Sequence, residues 1–163
     1  MNPGPWLQHV SQKLAANGYS PLDPSIYLAR GIKYAVRRSG FELSKFGMVD
    51  RFFVFGEAEH LDAQTLQNFS TFAFNFANAN KSNPMPNGFF MCTFCFPVMI
   101  TENLDPQLAS YVQQNCPPKH WAAQELPAVF DLTTGQLAYF TSTPLWGAAY
   151  FAGMRSEIEN NLR

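Results

Sequence analysis

Cys92 and Cys95 form a Cys-x-x-Cys inside FFMCTFCFPVMI (89–100), and Cys116 and His120 follow in CPPKH. The resulting spacing, C-x2-C-x20-C-x3-H, is arithmetic that a Cys3His zinc site can use. A zinc knuckle needs its paired sulfurs on one turn, aimed at one ion. Residues 88–101 carry no turn signal between the thiols and read as a strand, in which Cys92 and Cys95 point to opposite faces. A redox reading meets the same geometry, because a Cys-x-x-Cys disulfide sits where a helix begins. The expectation is inert structural thiols, with no metal and no cofactor.

Carboxylates and an imidazole concentrate in GEAEHLD, where Glu57, Glu59, His60 and Asp62 follow a strand and precede a helix. Such exits are where open sheets place ligands, and this set has donors for a hard cation or for acid–base work. The alternative is a polar loop ending in an N-cap. A second candidate pocket lies in TPLWGAAYFAGMR (143–155), where small residues stand beside Trp146 and Tyr150. Glycines in a helix need a reason, either close packing or a groove floored by small residues and walled by aromatics. Serine elbows, phosphate loops and dinucleotide fingerprints are absent from the sequence.

The cations cluster. Arg30, Lys33, Arg37, Arg38, Lys45 and Arg51 against Glu42 and Asp50 give residues 30–51 a net charge of +4, on a chain whose net charge is −1. Aromatic residues interleave with them, as nucleic-acid binders require. Polyanion contact through Arg30, Lys33, Arg37 and Arg38 is therefore a second functional class. A local excess on a weakly acidic chain more simply reads as a solvated strand, which makes nucleic acid the less favoured partner.

The order helix, strands, helix, strand over residues 5–101 resembles the restriction-endonuclease-like core in element order only. That family places an acid before a strand carrying Asp/Glu-x-Lys. Here Asp50 precedes FGEAEH, where Glu57-x-Glu59 lacks the lysine. The resemblance implies a degenerate nuclease-like domain.

The elements that must position these groups are legible from caps and periodicity. Residues 5–17 place Trp6, Val10 and Leu14 on one helical side before Gly18. Asp62 caps a helix reaching to about residue 79, and Asp105 with Pro106 opens another. A last helix starts near Pro144 and runs towards Leu162, with Arg155 and Glu159 spaced to pair. Strands are expected over 26–38, 50–57 and 88–101, with a hairpin over 124–143 turning at Thr133–Gly135. Pro127 should put the first arm at an edge or delay its entry. RFFVFGEAEHLDAQTL and CFPVMITENLDPQLA echo each other as strand, acidic exit and helix. The order α-β-(β)-β-α-β-α-β-β-α predicts one α+β domain over 1–163, a mixed or antiparallel sheet of about five to six strands with helices packed on it.

Composition shifts the expected function from catalysis towards contact. Charged residues are 14% of the chain, against about 25% in typical domains, and aromatics are 15%. A chain short of charge and rich in aromatics often hides surface in an assembly. The helix over 62–79 has no charge between Asp62 and Lys81. Opposite its expected core stripe stand Thr71, Asn75 and Asn78, with Phe74 protruding beside them. The sequence thus predicts a protein-interaction or scaffold domain, self-associating through Phe74, Asn75, Asn78 and Thr71, with a further protein partner as another option. A small-molecule or metal-dependent enzyme around 57–62 is a third class. MNPGPWLQHV has neither the basic start nor the apolar core of a signal peptide, no stretch spans a membrane, and three cysteines fit reduced thiols. These features predict a cytoplasmic location.

Overall fold

Residues 91–101 contain no charge, so the strand they form has to be covered on both faces. The architecture follows from that requirement. The computed structural model describes residues 4–45, 47–88, 90–142 and 148–163. It is of the α+β class, with helices α1 (Gly4–Ala16), α2 (Ala63–Ala79), α3 (Pro106–Gln114) and α4 (Ala148–Leu162) on a mixed eight-stranded sheet. The strands are β1 (Ser20–Pro21), β2 (Tyr34–Glu42), β3 (Gly47–Glu57), β4 (Met91–Thr101), β5 (Lys119–His120), β6 (Ala123–Glu125), β7 (Ala128–Asp131) and β8 (Leu137–Tyr139).

β1, β2 and β3 are antiparallel neighbours. β4 lies parallel to β3 on one side and to both β6 and β7 on the other. Parallel pairing demands a crossover, and α2 and α3 supply the two. The echo in the sequence is therefore real at the level of structure: β3–Asp62–α2 and β4–Asp105–α3 are the same unit built twice. Asp62 accepts from the Thr65 N–H at 2.7 Å, and Asp105 accepts from those of Gln107 and Leu108.

Strand alternation sorts the core into two faces. Val49, Phe53 and Phe55 of β3 and Phe94, Phe96, Val98 and Ile100 of β4 face α1 and α4. Phe52 and Val54, with Cys95 and Met99, face α2 and α3. Four phenylalanines in the two central strands, Phe52, Phe53, Phe55 and Phe96, are fully buried. A sheet covered on both sides absorbs much of the aromatic content.

The class is as expected, and details of strand bounds, strand count and helix pairing differ. The strand placed at 26–38 begins only at Tyr34 and continues to Glu42. Asp23 and Pro24 first open a 3-10 turn at Pro24–Ile26, and a second, Leu28–Arg30, closes at Gly31 with φ 79°. Capping chemistry there overrides the β-branched residues. The first arm of the 124–143 hairpin is split, as Pro127 implies: Leu126 N donates to Cys95 O at 2.9 Å, and pairing resumes at Ala128. The extra strands beyond five or six are two- and three-residue pieces. In α4, Arg163 pairs with Glu159 at 2.6 Å, while Arg155 donates to the carbonyls of Thr141 and Ser142. The start of that helix near Pro144 lies outside the described residues. Among the described residues, no helix is long and apolar enough to cross a membrane.

Candidate functional site

Cys92 packs into the α1/α4 side of the sheet and Cys95 into the α2/α3 side, as strand alternation requires. Burial pushes both thiols above their ordinary pKa. Cys116 is exposed after α3, and His120 hydrogen-bonds Glu125 at 3.0 Å, so the four residues of the C-x2-C-x20-C-x3-H spacing do not converge. Among the described residues, no group of three or more His, Cys, Asp or Glu is placed to hold a metal.

The basic segment is not a free stripe. Lys33 pairs with Glu57, and Arg38 with Glu157. Arg51 reaches Glu42 at 2.5 Å and Glu157 at 3.5 Å, while Lys45 sits 3.7 Å from Glu42. Tyr19 also donates to Glu157 at 2.9 Å, under the Arg38 guanidinium. Burial, then the neighbouring Glu157 charge, pushes the Tyr19 phenol well up. Arg37 and Arg38 face opposite sides of β2, Arg37 donating to Asn80 O at 2.9 Å. Of the four proposed polyanion contacts, Arg30 and Lys33 are exposed, Arg30 at the end of its 3-10 turn and Lys33 in its pair with Glu57.

Asp50 and Glu57 also fall on opposite faces of β3, seven residues and therefore ~23 Å apart along the strand. Asp50 is fully buried, accepting from Ser82 Oγ at 2.7 Å, and ties the 81–88 loop to the sheet. The nuclease-like pairing of these two acids is not assembled. Glu59 and His60 are exposed at the exit of β3. Tyr150 packs near Phe94 and Lys45, at the opposite end of the parallel strands. It cannot share a pocket with Glu57, Glu59 and His60. Trp146 lies outside the described residues.

On α2 the expectation for Phe74 is corrected. It is 7% exposed and stacks on His120 at 3.8 Å. The ring is taken by a residue 46 positions away, which helical periodicity cannot register. Asn78 donates to Phe74 O and accepts from Asn87, so it anchors the 81–88 loop. Thr71 and Asn75 remain exposed. Beneath this helix Glu125, 2% exposed, accepts from Ser70 Oγ on one oxygen and meets His120 Nε2 on the other.

Exposed apolar side chains concentrate elsewhere, at the end of the sheet where β3, β4 and β6 begin. Phe41 (63% exposed), Leu43 (77%), Phe90 (69%), Trp121 (83%) and Tyr150 (54%) gather there, five of the eight exposed large hydrophobics among the described residues. Local structure holds them out. Among the described residues, Phe90 and Ala122 are the non-glycine residues with positive φ, at 58° and 47°. In that conformation Phe90 O accepts from Met48 N at 2.8 Å, and Ala122 O accepts from Thr93 N. Each left-handed residue therefore joins one strand start to another. Gly88 and Gly47 let Trp121 and the Phe90 backbone approach, since a Cβ at either would fall within 2.2 Å and 2.4 Å of them. Lys45 bridges the set, lying 4.9 Å from the Tyr150 ring centre and 5.5 Å from that of Phe94.

No family model, curated protein or solved structure matches this chain. Its site has to be judged from its own geometry. Trp121, Phe90 and Leu43 are not among the residues expected from sequence to form a contact surface. The available signal was apolar residues standing alone among polar or turn residues, as Trp121 does after CPPKH and Leu43 does in FELSK.

Proposed function

We propose that this chain is a non-catalytic interaction domain that pairs with a second copy of itself through the end of the sheet bearing Phe41, Leu43, Phe90, Trp121 and Tyr150. The observation that carries the reading is the exposure of five large apolar side chains at one end of the sheet. Four of them are aromatic, and at ~200 Å² for a fully exposed ring they present on the order of 500 Å² of apolar area. That fills the range of the largest patch on a typical monomer, about 300–600 Å², and is more than half of the ~800 Å² each partner contributes to a stable interface.

A second copy fits better than an unrelated charged partner. The rim carries charges of both signs, with Glu42 3.7 Å from Lys45 and 2.5 Å from Arg51. A two-fold axis can cross-pair such a set reciprocally, because both copies present the same patch. Aromatics at a low-charge core with a polar rim are the composition of contact surfaces. The left-handed Phe90 and Ala122 support the reading too, since backbone strain of this kind collects where surfaces are used.

Sedimentation velocity at micromolar concentration tests it. The native chain should sediment as a dimer, and Trp121→Asp with Leu43→Asp should give a folded monomer with unchanged circular dichroism. A native chain that is monomeric there, or a double variant that still dimerises, overturns the proposal.

A further inference from the structure

A cavity of about 300 Å³ opens between α2 and α3, on the opposite side of Phe74 and His120 from the apolar end. It lies at the lower bound of small-molecule sites, about 300–1,000 Å³. Its walls are apolar, with Leu66 of α2, Val112 of α3 and Phe140 after β8. Pro127 lines it where the first arm of the hairpin breaks. A hydrogen bond from Gln67 to the Tyr111 hydroxyl joins the two helices beside the cavity.

One group in this lining is out of keeping with a simple packing gap. Glu125 lines the cavity while being 2% exposed, its carboxylate bound by the Ser70 hydroxyl, which lines the cavity too. Taking a carboxylate out of water costs several kcal/mol unless it is well partnered, and a core built for stability alone would hold an apolar residue there. Ser70 and His120 occupy one acceptor position on each oxygen. A carboxylate offers about four such positions, so two remain. The lining contains this acid and no lysine or arginine.

A catalytic use of the three side chains does not follow. Ser70 and His120 bind different oxygens of the same carboxylate, so the imidazole has no path to the serine proton. What the arrangement can do is hold a donor. We propose that this cavity binds a small alkylammonium: the nitrogen donates to Glu125, and a chain of a few carbons lies against Leu66, Val112 and Phe140. The apolar walls exclude water and strengthen the charge-assisted hydrogen bond.

The experiment uses the full chain and three matched probes, n-butylammonium, n-butanol and butyrate, followed by amide chemical shifts in NMR titrations up to about 10 mM. At about half the ceiling efficiency of very small ligands, a five-heavy-atom ligand has a dissociation constant of about a millimolar. Butylammonium should shift the amides of residues 66–71 and 111–116, with butanol at least ten-fold weaker and butyrate silent. Glu125→Gln should cost butylammonium at least ten-fold. Thr71 is exposed and lines the cavity, so Thr71→Trp should block entry without disturbing the fold, which keeps the test decisive if Glu125→Gln does not fold. Equal binding of the three probes, no shifts with butylammonium, or unchanged binding in Thr71→Trp each overturns the proposal.

Discussion

The two ends of the parallel strands have been treated differently. After β3, β4 and β7, one aspartate each is consumed by the protein's own backbone. Asp62 and Asp105 cap helices, and Asp131 accepts from Leu104 N at 3.1 Å and from Thr133 N at 2.8 Å. The exits are also tied to each other, Ala58 N to Ile100 O and Leu132 N to Thr101 O. Among the described residues, one buried side-chain hydroxyl, Thr101 Oγ, lacks a hydrogen-bond partner there. At the entries of β3, β4 and β6, backbone strain holds aromatic rings out into water. Open sheets usually place ligands at strand exits. Here that end is spent on closing the fold, and the surface with unused binding capacity is at the entries.

The largest effect that tests this contrast belongs to Asp131→Ala. It strands the N–H groups of Leu104, Thr133 and Thr134, one of them buried, and should cost about 2–3 kcal/mol in urea unfolding. Burial pushes the Asp131 carboxyl up, but the Leu104, Thr133 and Thr134 donors together outweigh it and hold it below its ordinary value. With the folded-state value depressed, this contribution is complete above the ordinary aspartate range, about 3.9, and is lost as pH falls through the folded value. The stability gap between native chain and variant should therefore narrow on acidification below about pH 4. A gap that widens instead would mean Asp131 is not acting as an ionised acceptor.

Asp105→Ala removes the cap of the second β–loop–α unit and should cost about 1 kcal/mol. Equal losses from Asp105→Ala and Asp62→Ala would extend the equivalence of the two units from geometry to energetics.

At the other end the signs change. Ala122→Gly should stabilise by up to about 1 kcal/mol, because glycine adopts the left-handed conformation without the Cβ penalty. A clear loss would show that Ala122 makes a contact worth more than its strain. The smallest effect on stability is expected for Trp121→Ser, within about 0.5 kcal/mol, because the ring is 83% exposed. The same variant should weaken self-association measurably, separating the two quantities in one protein.

The sequence by itself determined what is decided within a few residues. Asp62, Asp105 and Pro106 place helix starts because a cap is a bond between positions two or three apart. The opposed directions of Cys92 and Cys95 follow from the period of a strand. The α+β class follows from the order of such local signals. The tertiary structure alone decided the partners. His120 covers Phe74, Glu157 gathers Tyr19, Arg38 and Arg51 from more than a hundred residues away, and Glu125 meets Ser70 across 55 positions. Those pairings put the Phe74 ring in the core and gave Lys33, Arg38, Lys45 and Arg51 carboxylate partners. The rings left outside are the remainder after such distant pairings are made. They sit where three strand entries converge, and that convergence is a property of sheet order, which no short stretch of chain encodes.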